Sequence, residues 1–273
     1  MRTPMRRASL FAVTLLTVAV VFWGGAAAIG AGFTPGQAAP AAGSSPTGAN
    51  PPTELTLEER ADVFMARKNY DDAIDYYYRA LKHSTFKDPA VWNKLGIAFQ
   101  EEGKNSSARK AYTNATRADK SFAEAWNNMG TLFFAEKKFG KSVPYYQRAI
   151  KIRSDTAVFH VNLAASYLKL KKRDQAVEEY CTALGIDPKV LSPESLVGTV
   201  VHASGTDVED YFYIAKALAS KGDAEAAVRY LRRALEDGFS DRQRIDEDPD
   251  FKKISQYPAF VELMRNPPVS IKN

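Results

Sequence analysis

The chain has 273 residues, 45% of them hydrophobic and 25% charged, an ordinary foldable composition at a length that suits one or two domains. Cys181 is the only cysteine, so neither a disulfide framework nor a thiolate metal centre can be built within the chain. The net charge of +5 overstates the body of the protein: residues 1–53 carry Arg2, Arg6 and Arg7 and no acid, and the rest has 34 basic against 32 acidic side chains, without the concentrated basic face that nucleic-acid binding needs.

The three arginines precede a nearly unbroken apolar run over residues 8–23, and a run of small residues follows it. Positive, apolar, small is the order of a secretory signal. Ala26-Ala27-Ala28 and Gln37-Ala38-Ala39 offer the cleavage points. Residues 8–33 are also 26 uncharged residues, enough to cross a ~30 Å hydrocarbon layer as a retained anchor, with the arginines left in the cytoplasm. Residues 1–33 thus read as a signal peptide or a signal anchor. Either reading places residues 54–273 outside the cytoplasm, periplasmic, secreted, or tethered to the inner membrane. Residues 34–53 are rich in Pro, Ala, Gly and Ser and have almost nothing large and apolar to bury, so they read as a linker.

The informative part begins near Leu55. Trp92, Leu95, Gly96 and Phe99 are repeated 34 residues later by Trp126, Met129, Gly130 and Phe133, and again by His160, Leu163, Ala164 and Tyr167. Twelve residues beyond each small residue a second pattern starts: Ala108, Tyr112, Ala115; then Ser142, Tyr146, Ala149; then Ala176, Tyr180, Ala183. Positions i, i+3, i+4 and i+7 share one helical face. Each unit is therefore a helix–turn–helix pair, with Gly96 and Ala108 allowing close approach and Gly103 placed for a left-handed helix end. Upstream, Ala61, Phe64, Ala73, Tyr77 and Ala80 hold the same spacing; Pro89 falls four residues beyond the register, which predicts a short insertion around residues 83–87. Downstream, Tyr211, Ala215, Leu218, Gly222, Ala227, Leu231 and Ala234 repeat it after an insert, where a short helix is expected near residues 193–202. Pro144, early in a second helix, predicts a late start or a bend there.

This pattern resembles the tetratricopeptide repeat, whose 34-residue signature has Trp, Leu-Gly, Tyr, Ala, Phe, Ala and Pro in that order. The resemblance implies an all-α fold: a right-handed superhelical solenoid of about five repeats near 55–88, 90–121, 124–155, 158–189 and 209–238, with an insert at 190–207. Residues 239–273 lose the period and read as a helical cap over the end of the stack. In this family the first helices line a concave groove that holds a partner's peptide or helix. The family's inward positions fall on Asn93, Ile97 and Gln100, on Asn127, Thr131 and Phe134, on Val161, Ala165 and Leu168, and on Phe212 and Lys216. One subclass grips a C-terminal carboxylate with lysine and asparagine. Here those positions hold Glu58, Asn93 and Asn127, and Asp62, Ile97 and Thr131, so that ligand is not expected. Asn128 and Asn162 sit where the family commonly carries asparagine.

Other chemistries find little support. His83, His160 and His202 are scattered, with no metal-ligand spacing. His160 stands at a Trp position and is expected to pack. Cys181 reads as a buried thiol with no base beside it. No phosphate-binding glycine loop or nucleophile elbow occurs, and no cofactor is called for. The Tyr76-Tyr77-Tyr78 run looks like an aromatic box, but Tyr77 and Tyr146 are repeat-core positions. Asn105-Ser106-Ser107 and Asn114-Ala115-Thr116 are glycosylation sequons that matter only in a eukaryotic secretory host. The expectation is an exported scaffold or adaptor that binds another protein, no nucleic acid, and the membrane only through its N-terminal segment. The alternative is an accessory subunit of an envelope secretion, assembly or enzyme complex. About 35 residues remain after Gly238, too few for a catalytic domain.

Overall fold

The computed structural model describes residues 54–192 and 208–270. The expected signal or anchor, the linker and the helix near 193–202 lie outside the described residues. So does His202.

Among the described residues the structure is helical throughout, with no strand. Helices α1 (Leu57–Ala66) and α2 (Tyr70–His83), α3 (Pro89–Glu101) and α4 (Asn105–Ala118), and α5 (Ala123–Ala135) and α6 (Phe139–Ile152) form the first three pairs. α7 (Ala157–Lys169) and α8 (Arg173–Ile186), then α9 (Val208–Ser220) and α10 (Ala224–Glu236), form the last two. Three short helices end the chain: α11 (Arg242–Glu247), α12 (Pro249–Lys252) and α13 (Pro258–Arg265). Each pair packs on itself and on the next, so the five pairs make a solenoid.

The pairs turn by one repeated device. After each first helix one residue goes left-handed, at φ 58° for Lys68, 81° for Gly103, 58° for Lys137, 60° for Lys171 and 81° for Gly222. The next residue's N–H then reaches back to a carbonyl five residues earlier: Asn69 to Phe64, Lys104 to Phe99, Lys138 to Phe133, Lys172 to Tyr167 and Asp223 to Leu218, at 2.8–3.1 Å. This Schellman-type closure satisfies helix-end carbonyls. Three of the five turns place a lysine where glycine would be unstrained.

Between pairs, a second device recurs. The Trp92 ring N–H donates to the Phe86 carbonyl at 2.9 Å, and Trp126 to the Lys120 carbonyl at 3.1 Å, both six residues upstream. In the fourth pair His160 Nε2 takes the same role, 3.2 Å from the Ser154 carbonyl.

The helix faces meet as the spacing predicts. Tyr77, Tyr112, Tyr146 and Tyr180 are buried in the second helices. Gly96 lies so close to Tyr112 that an added Cβ would stand 2.5 Å from its ring, and Gly130 would meet Tyr146 at 2.7 Å. Pro89 is not a displaced closing proline: it is the first residue of α3, behind Asp88, whose carboxylate accepts from the Ala90 and Val91 N–H groups at 2.9 and 3.1 Å. The connection from α2 to α3 turns through Thr85 and Phe86, both left-handed. Pro144 does not delay α6, which starts at Phe139 and runs through it; the lost bond to the Gly140 carbonyl is tolerated because packing holds the helix. His83 is the exposed last residue of α2.

The C-terminal helices close the end of the stack. Ile245, Phe251, Ile254, Phe260 and Leu263 are all buried, α12 packing on α9 and α13 on α10. Among the described residues no helix is long and apolar enough to cross a membrane.

Candidate partner-binding surface

The first helices identify the inner side of the stack. α3 touches α5, and α5 touches α7, in addition to the contacts between consecutive helices. The second helices make no comparable contact with one another among the described residues. In a curved stack the helices nearer each other lie on the concave side, so α3, α5 and α7 line it.

Asparagines tie this side together. Asn128 Nδ2 donates to Asn93 Oδ1 and Asn162 Nδ2 to Asn127 Oδ1, each at 2.9 Å, while Asn127 Nδ2 reaches Asn128 Oδ1 at 3.2 Å. Asn93 and Asn127, expected as groove contacts, thus spend their carbonyl oxygens on the neighbouring repeat. Asn128 and Asn162 supply the bonds. A pair of consensus asparagines 34 residues apart was the signal, and it reads as a staple only once the first helices are known to lie side by side.

The other expected positions divide by burial. Ile97, Val161, Leu168 and Phe212 are buried, Phe212 completely, and offer a partner almost no side-chain surface. Ile97, Val161 and Leu168 are absorbed in the packing of their own stack. Phe212 lies beneath the C-terminal segment, stacked on Phe239 at 4.6 Å and edge-on to Phe251 at 5.5 Å. Gln100, Thr131, Phe134 and Ala165 remain partly exposed. The Tyr112 hydroxyl donates to Gln100 at 3.1 Å, and Thr131 donates to the Asn127 carbonyl at 3.2 Å. Phe134 stands edge-on to Phe139 at 5.0 Å. Lys216 binds Asp248 of α11's end at 2.6 Å.

At the other end, the positions that would hold a carboxylate clamp are acidic and already neutralised. Lys94 from the next repeat reaches Glu58 at 2.8 Å and Asp62 at 2.6 Å, and the buried Tyr77 hydroxyl donates to Asp62 at 2.5 Å. Burial pulls the Lys94 ammonium down, but hydrogen bonds and attraction from Asp62 and Glu58 outweigh it and leave it raised.

The remaining candidates are structural. His160 is buried, with Nδ1 2.6 Å from Glu179 and Nε2 against the Ser154 carbonyl. Both partners are acceptors, so the imidazolium alone satisfies both. The bond to Glu179 raises its pKa above the ordinary value, against burial. Cys181 is half-buried, its Sγ 3.2 Å from Ser220 Oγ. Tyr76 stacks on Phe64 at 5.3 Å and Tyr77 is buried, while Tyr78 meets Phe99 edge-on and stays exposed. Among the described residues no three His, Cys, Asp or Glu side chains could hold a metal ion.

Models of the tetratricopeptide repeat match residues 93–157, 157–190 and 211–236. These segments are tetratricopeptide repeats. Of curated proteins, the Saccharomyces cerevisiae small glutamine-rich tetratricopeptide repeat-containing protein 2 is 29% identical over 104 residues, 38% of this chain. The match spans 29% of that protein's length. Among solved structures, MamA from Desulfovibrio magneticus RS-1 is 14% identical at TM-score 0.47, over 70% of this chain and 96% of its own. The first repeat domain of Spaghetti (RPAP3), bound to an HSP90 peptide, is 20% identical at TM-score 0.40, over 42% of this chain and 90% of its own. The matches over 93–190 include the Trp126 and His160 bonds, the asparagine pairs and the buried Tyr112, Tyr146 and Tyr180 described above.

Proposed function

We propose that this repeat protein is an interaction scaffold, carried out of the cytoplasm by its N-terminal segment, whose first-helix face holds an extended peptide or an amphipathic helix of another protein. Its chemistry is recognition, with no bond made or broken. The observation that carries the reading is the continuous inner surface of α3, α5 and α7, fixed by the asparagine pairs and presenting partly exposed Gln100, Thr131 and Phe134. A preformed surface costs a partner less ordering on the protein side, and amide, hydroxyl and ring groups together suit a peptide backbone with an apolar anchor. Export rests on the sequence order of Arg2, Arg6 and Arg7, the apolar run and the small residues, which is that of a signal.

A photoreactive residue at Phe134, with one at the exposed Lys151 of α6 as the comparison, tests the face in cells. Partner capture from Phe134 and little from Lys151 is expected. Capture from Lys151 alone overturns the groove assignment. A periplasmic-activity reporter fused after Asn273 tests export, and an inactive reporter overturns it.

A further inference from the structure

One cavity stands apart from the α3–α5–α7 surface. It has a volume of about 460 Å³, lies where the α7–α8 turn, α9 and α11 converge, and is walled by Lys171, Lys172, Arg173, Lys216 and Arg244. Asp174 and Asp248 are the lining carboxylates. The cations are not equally engaged. Lys216 is taken by Asp248 at 2.6 Å and Asp250 at 3.7 Å. Glu209 lies 3.3 Å from Arg244 and 3.6 Å from Arg173, and Arg244 also donates to the Tyr213 hydroxyl. Lys171 and Lys172 are exposed, and neither forms an ion pair with a described residue; Lys172 leans over the Tyr167 ring at 5.7 Å. Among the described residues the cavity therefore keeps two ammonium groups without an ion-pair partner beside an Arg–Glu pair, in a space of ligand size.

The chain shows what this surface accepts. The segment Asp246-Glu247-Asp248-Pro249-Asp250 is the most acidic of the described residues, and it is the one that docks here, setting Asp248 and Asp250 on Lys216. The acidic segment meets the Lys216 side of the cavity, and no acid of the described residues pairs with the lysine turn.

We infer that the cavity between Lys171, Lys172 and Arg173 on one side and Lys216 on the other receives an acidic peptide segment of a partner, laid alongside the chain's own acidic segment. The inference rests on the scaffold reading and names the partner's chemistry. Arg173 supplies the fork that grips a carboxylate in two bonds, and the lysines supply point charges that tolerate different spacings. A contact of this kind adds on-rate and specificity and weakens with salt.

The test is fluorescence anisotropy of a fluorescein-labelled hexaglutamate peptide on the full chain. Binding is expected, falling as salt rises from about 50 to about 200 mM. The Lys171→Gln/Lys172→Gln variant should weaken it roughly ten-fold through the loss of two close attractive charges. Lys137→Gln/Lys138→Gln, at the equivalent turn of the third pair, should leave it within about two-fold, because those charges lie outside the cavity. Circular dichroism checks that both variants remain folded. Equal weakening by both pairs, or equal competition by inorganic phosphate, overturns the assignment to an acidic peptide. So does absence of binding. If hexaglutamate fails while Phe134 still captures a partner, the scaffold reading stands and the acidic chemistry falls; if both fail, the scaffold reading falls with it.

Discussion

Gly96→Ala is the sharpest probe of the helix-pair interface. An ideal Cβ at Gly96 lies 2.5 Å from Tyr112 Cε1, 2.6 Å from Cδ1 and 3.0 Å from Cζ. Carbon atoms in contact prefer about 3.5–4.0 Å, so the ring must retreat by about 1 Å. Tyr112 is fully buried, so the ring can retreat only by pushing its neighbours and stretching its bond to Gln100. Overpacking of this kind costs about 1–3 kcal/mol, and the lost hydrogen bond about 1 kcal/mol. Alanine returns about 0.8 kcal/mol through helix propensity. The pairs Ala61–Tyr77 and Ala164–Tyr180 hold the same positions in the same molecule, all buried, which caps the penalty: helices can sit slightly apart. A net loss of about 1–2 kcal/mol follows, or a fall in Tm of about 2–8 °C for a domain of this size. The fifth pair sets Ala215 opposite Leu231, so adding Tyr112→Leu to Gly96→Ala should recover much of the loss. Thermal unfolding followed by circular dichroism decides it. A Tm unchanged or raised by Gly96→Ala alone would refute the close-approach argument.

Lys137→Gly relieves a left-handed lysine at φ 58° and should stabilise by about 0.5–1 kcal/mol, the αL penalty less the extra chain entropy of glycine; urea denaturation with an unchanged or lower midpoint contradicts this. His160 has a folded-state pKa raised above its ordinary value, first by the Glu179 bond. Its contribution is therefore complete below about pH 6.5 and is lost as pH rises through the folded-state pKa. Stability measured from pH 5 to 9 should fall over that window in the native chain and stay flatter in His160→Gln. Phe251→Ala removes a ring buried against Phe212 and Phe260, at a cost of about 3–5 kcal/mol. Hydrogen exchange in residues 208–220 should speed up sharply while residues 89–118 keep their protection; uniform loss of protection contradicts a cap confined to the last pair.

The repeat was legible because its signal is periodic. Small residues at Gly96 and Gly130, with rings at Tyr112 and Tyr146 sixteen positions on, can be read as two faces in contact without coordinates. The Trp-to-carbonyl bonds were not read from sequence, although their spacing is constant, because a ring N–H and a turn carbonyl six residues apart leave no compositional mark. The same device accounts for His160 at a tryptophan position: one ring nitrogen keeps the bond, and the other meets Glu179 from α8. Proline is less legible. Pro89 belongs to the start of α3 behind Asp88, and the register rule alone could not tell a helix-opening proline from a helix-closing one.

The groove positions were read from a pattern that assumes every repeat presents the same inward residues. In the middle of the stack Gln100, Thr131, Phe134 and Ala165 stay partly exposed while Ile97, Val161 and Leu168 are buried. At the last pair the pattern fails for a reason outside the repeat. The tail turns back so that α12 packs on α9; Phe251 then covers Phe212, and Asp248 covers Lys216. A capping segment has no period, so its landing place could not be inferred from spacing. Yet its charge was in view: four acids in five residues had to meet cations or water. The described structure sends two of them to Lys216, on the side of the cavity that faces the lysine turn before α8. The same segment that ends the hydrophobic stack thus decides where charge is left over, so that capping and the proposed recognition at this end of the molecule depend on one stretch of chain.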